Sequence, residues 1–327
     1  MTVFLHIGLH KTGSTGLQRF FAREEAALAA AGIRFPKAGR AKVREQIIHS
    51  NLGWEYLGHD SFDPALGTLK DMEAEIAADP GADWILSNEG FSRIKDTAEF
   101  LSQRSIGPVE IVAFSRERAS LAPSLYTEQL KMRLAKTFCE WIADAAETGP
   151  RRLVGIDLLD QDVLVNCWRE TGVPVHEIPL ADLAGADVTK AFFAAIGRSP
   201  PGVTLSAPMA NVRISTAEAA AMCGLNAGLR LLDERPDVAN YKTLSSKLRT
   251  AIRRDDALPS EPFVLTASER SALGVPSAGA PDERDATLSE PLHAHVLKAI
   301  AASPFDPDPS RLSTRVERRI AAFLGGK

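Results

Sequence analysis

Between positions 8 and 15 the chain reads Gly8-Leu9-His10-Lys11-Thr12-Gly13-Ser14-Thr15, a run whose glycines, hydroxyls and single lysine suit an anion. Backbone N–H groups of such a loop, followed by a helix N-terminus, make a concave site for a phosphate. The order of the residues narrows the ligand. A GxxxxGK[ST] loop sets its lysine directly after the second glycine, in reach of the β/γ-phosphates, with the next hydroxyl on Mg²⁺. Here Ser14 follows Gly13, and Lys11 stands two residues before that glycine. That order can hold one phosphate but is badly arranged for a magnesium triphosphate. Arg116 offers a second handle, because its planar fork pairs with phosphate through charge-assisted bonds. Two side chains suit proton removal: Glu89 in Ser87-Asn88-Glu89-Gly90, and His49 in Ile47-Ile48-His49-Ser50-Asn51. The imidazole of a histidine titrates near working pH without tuning.

These residues need a scaffold that gathers them. Residues 3–7 are an apolar run stopped by Gly8, and Leu17, Phe20, Phe21, Ala27 and Leu28 then fall at helical spacing with Glu24 at the edge of the face. A second strand is predicted at 84–86, which puts Glu89 just past its carboxyl end. A third, at 109–114, follows the Gly107-Pro108 breaker and precedes a helix to about Lys131, with Arg116 at the strand's end. A helix at 160–170 carrying Trp168 leads to a weaker fourth strand at 173–178. Strands separated by helices imply parallel pairing, hence a three-layer α/β/α domain around a central, mainly parallel sheet. Open sheets of that kind bind ligands at their carboxyl edge.

From about residue 205 the pattern turns helical, at 216–232, 241–253, 288–302 and 311–324, while 255–287 is rich in Pro, Ser, Gly and Asp and reads as a long mobile surface segment. The expected organisation is an α/β core over 1–204 and a mainly helical extension over 205–327, packed on the same domain. Lys and Arg number 38 against 42 Asp and Glu, and the formal charge of −4 argues against a nucleic-acid partner. No run nears eighteen apolar residues. The opening MTVFLHIGLHK lacks a basic n-region and a small-residue cleavage site, and three cysteines cannot all pair, so a reducing, cytoplasmic setting is expected. His6 alternates within the first strand and reads as core. His59, His176, His293, His295 and the cysteines show no metal-ligand spacing, so no metal is expected. Basic runs at 242–254 and 311–319 have the composition either of solvated helix faces or of contacts to an acidic glycan or a membrane surface.

Lys11-Thr12-Gly13-Ser14-Thr15 in this setting resembles the 5′-phosphosulfate loop of the sulfotransferases that use 3′-phosphoadenosine 5′-phosphosulfate (PAPS). The longer HIGLHKTGSTGLQ resembles the bacterial branch of that family. The resemblance implies a P-loop NTPase-like sulfotransferase fold and a nucleotide donor bound without metal. Lys11 and the backbone of residues 12–15 would then hold the 5′-phosphosulfate, with His10 shaping the loop or lining the acceptor side. Arg116 and Ser124, eight positions apart after a strand, match the pair that holds the 3′-phosphate, with Arg118 a competitor. Tyr126 and Lys131 in SLYTEQLK also resemble the bacterial branch, as does Asn211-Val212-Arg213-Ile214-Ser215, in which Arg213 would reach the nucleotide. The late Arg-Lys-Gly loop of the animal enzymes is absent. Ser87-Asn88-Glu89 resembles the Ser-x-Glu segment of bacterial and carbohydrate sulfotransferases, in which the glutamate is the base; His49 is the alternative, since a histidine serves in animal cytosolic enzymes. The implied reaction moves a sulfuryl group from PAPS to a hydroxyl or amine, with a carbohydrate or lipid-linked sugar favoured as acceptor, and leaves 3′,5′-adenosine bisphosphate (PAP). The resemblance covers roughly residues 2–200 and the Asn211 segment. One rival is a small-molecule kinase using Mg-ATP on a variant P-loop, which needs an acidic metal ligand such as Asp83 or Glu89. The other is a nucleotide- or glycan-binding module without turnover.

Overall fold

The computed structural model describes residues 1–9, 11–43, 46–148, 159–183, 187–201, 214–232, 238–258, 260–282, 289–302 and 309–324. The chain divides into two compact units, Met1–Glu117 with Asp160–Ala210, and Arg118–Leu159 with Asn211–Lys327. The segment Arg118–Leu159 therefore groups with the later helices.

Among its described residues the first unit carries the strands β1 Val3–His6, β2 Ile33–Arg34, β3 Ala41–Val43, β4 Gln46–Ile48, β5 Asp83–Ser87, β6 Val109–Ser115 and β7 Val175–Pro179. Five form one sheet in the order β2-β5-β1-β6-β7, every neighbouring pair parallel. β3 and β4 form a separate antiparallel pair. β1 is buried along its length, as a central parallel strand with helices on both faces must be. The period-2 alternation of side chains sorts the strands into two cores. Val3, Leu5, Trp84, Leu86, Val109, Ile111 and Ala113 join helices Leu69–Ala78 and Gln161–Arg169 on one face through Met72, Ile76, Val165 and Trp168. Phe4, Ile85, Val112 and Phe114 face the other way, against Phe20, Phe21, Phe192 and Phe193 of helices Ser14–Arg23 and Val188–Ala195. The layered α/β arrangement expected from the sequence is the one observed.

Three local expectations need correction. The apolar spacing from Leu17 to Leu28 is shared by two helices, Ser14–Arg23 and Glu25–Ala30, because Glu24 leaves helical geometry at φ −97°, ψ 22°. β2 and the β3–β4 pair were not anticipated; elements of two or three residues are too short to show a period. The stretch 255–287 is not simply a surface segment. Within its described residues Leu258, Phe263 and Leu265 are buried, and Thr266 caps a helix at Ala267–Ala272 with a reciprocal bond from Glu269.

The described residues of the second unit include helices at Arg118–Lys131, Phe138–Thr148, Thr216–Leu231, Val238–Arg253, Ala267–Ala272, Ser289–Ala301 and Pro309–Leu324. Thr216–Leu231 is its centre, buried continuously from Ala217 to Leu229. Its small residues admit close neighbours: a Cβ at Gly228 would lie 2.5 Å from Ile300 Cδ1, and one at Gly224 would lie 3.0 Å from Ile320 Cγ1. No helix among the described residues is long and apolar enough to cross a membrane.

Candidate functional site

After β1 the chain passes to β2 and β5 on one side of the sheet, then to β6 and β7 on the other. The crevice where the loops leaving β1 and β6 diverge is the place where such sheets bind ligands. The loop of residues 8–13 stands there. Among its described residues the backbone is left-handed at Gly8 (φ 46°), Lys11 (φ 63°) and Gly13 (φ 89°). For a lysine that conformation costs roughly 1–2 kcal/mol, a strain of the kind found where a loop is shaped for a ligand. The Thr12 hydroxyl is buried and donates to the Leu9 carbonyl. Gly13 is the N-cap of the Ser14–Arg23 helix; it supplies no side-chain cap, and no acidic residue occupies the first turn. Ser14 Oγ is buried and has no hydrogen-bond partner among the described residues. An unsatisfied buried hydroxyl costs about 1–3 kcal/mol, and here it stands at the positive end of a helix dipole. Arg116, at the end of β6, crosses to this loop: its guanidinium donates to the Lys11 carbonyl at 3.2 Å, while its backbone N–H donates to Gln161 Oε1 at 2.8 Å.

Glu89 opens a 3-10 turn, Glu89–Arg93, directly after β5. It lies against the loop: a Cβ built on Gly8 would stand 3.1 Å from the Cα, Cγ and N of Glu89. Lys11, Arg116 and Glu89 are thus gathered at the carboxyl ends of three adjacent strands. His49 lies close by in the fold, fully buried, but both its ring nitrogens are occupied. Ser87 N–H donates to Nδ1 at 3.1 Å, and Nε2 lies 2.9 Å from the Pro36 carbonyl. Nδ1 accepts, so the proton is on Nε2 and the ring is neutral. Burial drives its pKa down to about 4. His6, also fully buried, is held at Nδ1 by the Ser87 hydroxyl at 2.7 Å, and burial drives its pKa down to about 3.

Ser124 belongs to the second unit, half-buried in the Arg118–Lys131 helix beside Pro123. Arg118 donates to the Leu273 carbonyl at 3.3 Å, and Lys131 pairs with Glu128. Tyr126 packs among Phe138, Trp141, Phe263 and Phe323, with its hydroxyl on the Lys136 carbonyl. It is core. His10 and Arg213 lie outside the described residues.

No protein-family model and no curated protein matches this chain. Among solved structures, a sulfotransferase from Alicyclobacillus acidocaldarius is similar with a TM-score of 0.38 and 15% identity, over 73% of this chain and 98% of that one. A likeness that distant carries no argument, so the chemistry rests on the residues themselves.

Several residues around the site escaped sequence reasoning. Gln161 fixes the Arg116 backbone, Ser92 donates to the Glu89 carbonyl at 2.7 Å, and Asn88 caps the turn through Gly90 N–H at 2.9 Å. Only Asn88 carried a signal, as a capping residue immediately before a turn. Asp83, one of the two acidic candidates for a metal beside a triphosphate, is misplaced for that role. It starts β5, pairs with Arg198 and accepts from Thr2 N–H. It therefore sits at the amino edge of the sheet, about 13 Å along the strand from Ser87 at 3.3 Å per residue.

Proposed function

We propose that this chain is a PAPS-dependent sulfotransferase. The observation that carries the reading is the start of the Ser14–Arg23 helix, where Gly13 offers no side-chain cap, the buried Ser14 hydroxyl has no hydrogen-bond partner among the described residues, and Lys11 holds a left-handed backbone at the sheet's switch point. Such a helix start suits an anion with several acceptor oxygens, and the order Lys-Thr-Gly-Ser suits a phosphosulfate better than a magnesium triphosphate. Lys11 and the first helical amides hold the 5′-phosphosulfate and stabilise the oxygen that departs. Arg116 takes the 3′-phosphate. The fold is accordingly read as the P-loop-type sulfotransferase fold, and the resemblance of Ser87-Asn88-Glu89 to carbohydrate enzymes favours a sugar hydroxyl as acceptor.

Transfer is an in-line displacement. A bond forms between the acceptor oxygen and sulfur, the bond from sulfur to the phosphate oxygen breaks, and PAP leaves with the electron pair. The acceptor proton passes to the Glu89 carboxylate. His49 is the poorer candidate, since an imidazole with both nitrogens engaged and a pKa near 4 has no free position for that proton.

The test compares Glu89→Gln with Lys11→Ala, using PAPS and a panel of sugar and lipid-linked sugar acceptors. Glu89→Gln is expected to bind PAP as the unaltered protein does and to lose about 10²- to 10⁴-fold in turnover. Lys11→Ala is expected to weaken PAP binding and slow transfer together, since it removes a charge used in both ground and transition states. Near-full turnover in Glu89→Gln ends the base assignment. Absence of PAP binding by the unaltered protein ends the sulfotransferase reading.

A further inference from the structure

Three contacts fix the backbone around Glu89. Ser92 Oγ donates to its carbonyl at 2.7 Å. Asn88, buried beside it, spans two backbone groups: Nδ2 donates to the His49 carbonyl at 3.0 Å, and Oδ1 accepts from Gly90 N–H at 2.9 Å. Because one partner is a carbonyl and the other an N–H, only this orientation of the amide satisfies both. His49 in turn is tied twice to Ser87, by its own N–H on the Ser87 carbonyl at 3.2 Å and by Nδ1 receiving Ser87 N–H at 3.1 Å. Gly53 leaves the room that Asn88 needs, since a Cβ there would stand 2.3 Å from Asn88 Nδ2.

We propose that His49, Asn88 and Gly53 form a neutral clamp that sets where Glu89 stands beside Gly8, making His49 and Asn88 positioning residues for proton removal. The reaction half of this proposal rests on the sulfotransferase reading; the clamp itself rests on the hydrogen bonds. Neutrality matters for the chemistry. An imidazolium next to a carboxylate lowers its proton affinity, and a base so paired accepts a proton poorly. Here a proton on Nδ1 would point at Ser87 N–H, two donors facing each other. The groups acting on the ring are the Arg40 guanidinium, the Pro36 carbonyl and Ser87, whose hydroxyl is held by the equally neutral His6. The Arg40 guanidinium and the Ser87 N–H at Nδ1 disfavour charge on the imidazole, the Pro36 carbonyl favours it, and burial outweighs that carbonyl.

Gly53→Ala and His49→Gln test the clamp without touching Glu89. Alanine at 53 lies inside the Ser50–Tyr56 helix, where helix propensity favours it, so folding is retained while Asn88 is displaced. For Gly53→Ala we expect kcat to fall about 10- to 100-fold, the scale of a misplacement near 1 Å. The donor KM and the PAP dissociation constant should stay within about twofold, and the Gly90 amide should exchange with solvent faster. In His49→Gln, kcat should fall similarly while the acidic limb of the pH profile, which belongs to Glu89, persists. In the unaltered protein, ¹⁵N spectra should show His49 as the neutral Nε2–H tautomer down to pH 5. Loss of the acidic limb in His49→Gln, protonation of His49 above pH 6, or full turnover with unchanged Gly90 exchange in Gly53→Ala would each overturn the proposal. If the protein binds PAP but transfers no sulfuryl group, the functional reading falls. The His49 tautomer and the Gly90 exchange in Gly53→Ala then still decide the clamp, and the tautomer is read in the unaltered protein.

Discussion

His6 and His49 both bind Ser87, one through its hydroxyl and one through its backbone N–H, and both are buried in the neutral form. That arrangement makes stability depend on pH with a definite sign. Their folded pKa values, about 3 and about 4 against an ordinary 6.5, mean that the unfolded chain takes up protons first as pH falls. The stabilisation is complete above about pH 6.5 and is lost progressively below it. Between pH 7.5 and pH 5 each histidine should cost about 2 kcal/mol of unfolding free energy, a window above the range where carboxylates titrate. Urea unfolding at the two pH values measures the drop, and His49→Gln should remove roughly half of it. An equal drop in that variant would locate the titration elsewhere. At this scale the sequence was partly legible. Lys11, Glu89 and Arg116 were chosen by type and by position after strands, and the fold does gather them. What His49 does depends on what each ring nitrogen touches, and the carbonyl of Pro36 and the amide of Ser87 leave no mark in a spacing.

Elements tell a similar story in the second unit. Glu218 lies in the first turn of Thr216–Leu231, its carboxylate accepting the Ser215 N–H at 2.9 Å while Arg249 and Arg253 each approach it at 3.0 Å. Its side chain is only 2% exposed, whereas the arginines are 24% and 42% exposed. Glu218→Gln keeps the capping geometry and removes the charge. The arginines can return to water, so the loss should fall below the 3–5 kcal/mol of a fully buried pair, at about 1–2 kcal/mol. Denaturant midpoints of this variant against Glu218→Ala, which also forfeits the cap at about 1 kcal/mol more, separate charge from capping. Elements with a long period were the legible ones: Thr216–Leu231 repeats apolar and small residues for 16 positions, and β1, β5 and β6 are apolar runs between breakers. β2 pairs only Ile33 and Arg34 with β5, and its existence follows from the neighbouring strand rather than from its own residues. The break at Glu24 is equally silent, because apolar spacing continues through it.

Across the first unit, the site is assembled by topology. Arg116 and Lys11 are 105 positions apart yet joined by a hydrogen bond, because β1 and β6 are neighbours in the sheet. That link refines what a ligand should do. PAP, offered without metal at about 100 times its dissociation constant, should stabilise the protein by about 2.7 kcal/mol. For a unit of this size that raises the melting temperature by about 5–10 °C, whereas Mg-ATP should act weakly. Arg116→Ala should lower PAP affinity by about 1.5–3 kcal/mol, the range for a charge-assisted bond. Adenosine 5′-phosphate should lose less, but not nothing, because the same guanidinium holds the Lys11 carbonyl that shapes the 5′ loop. The ratio of the two losses is therefore the informative quantity, read by thermal shift or calorimetry with both ligands. A larger loss for PAP assigns the 3′-phosphate to Arg116. Equal losses reduce Arg116 to a brace for the loop and move the 3′ contact to another cation, and stabilisation by Mg-ATP with no response to PAP would replace the sulfotransferase reading by the kinase.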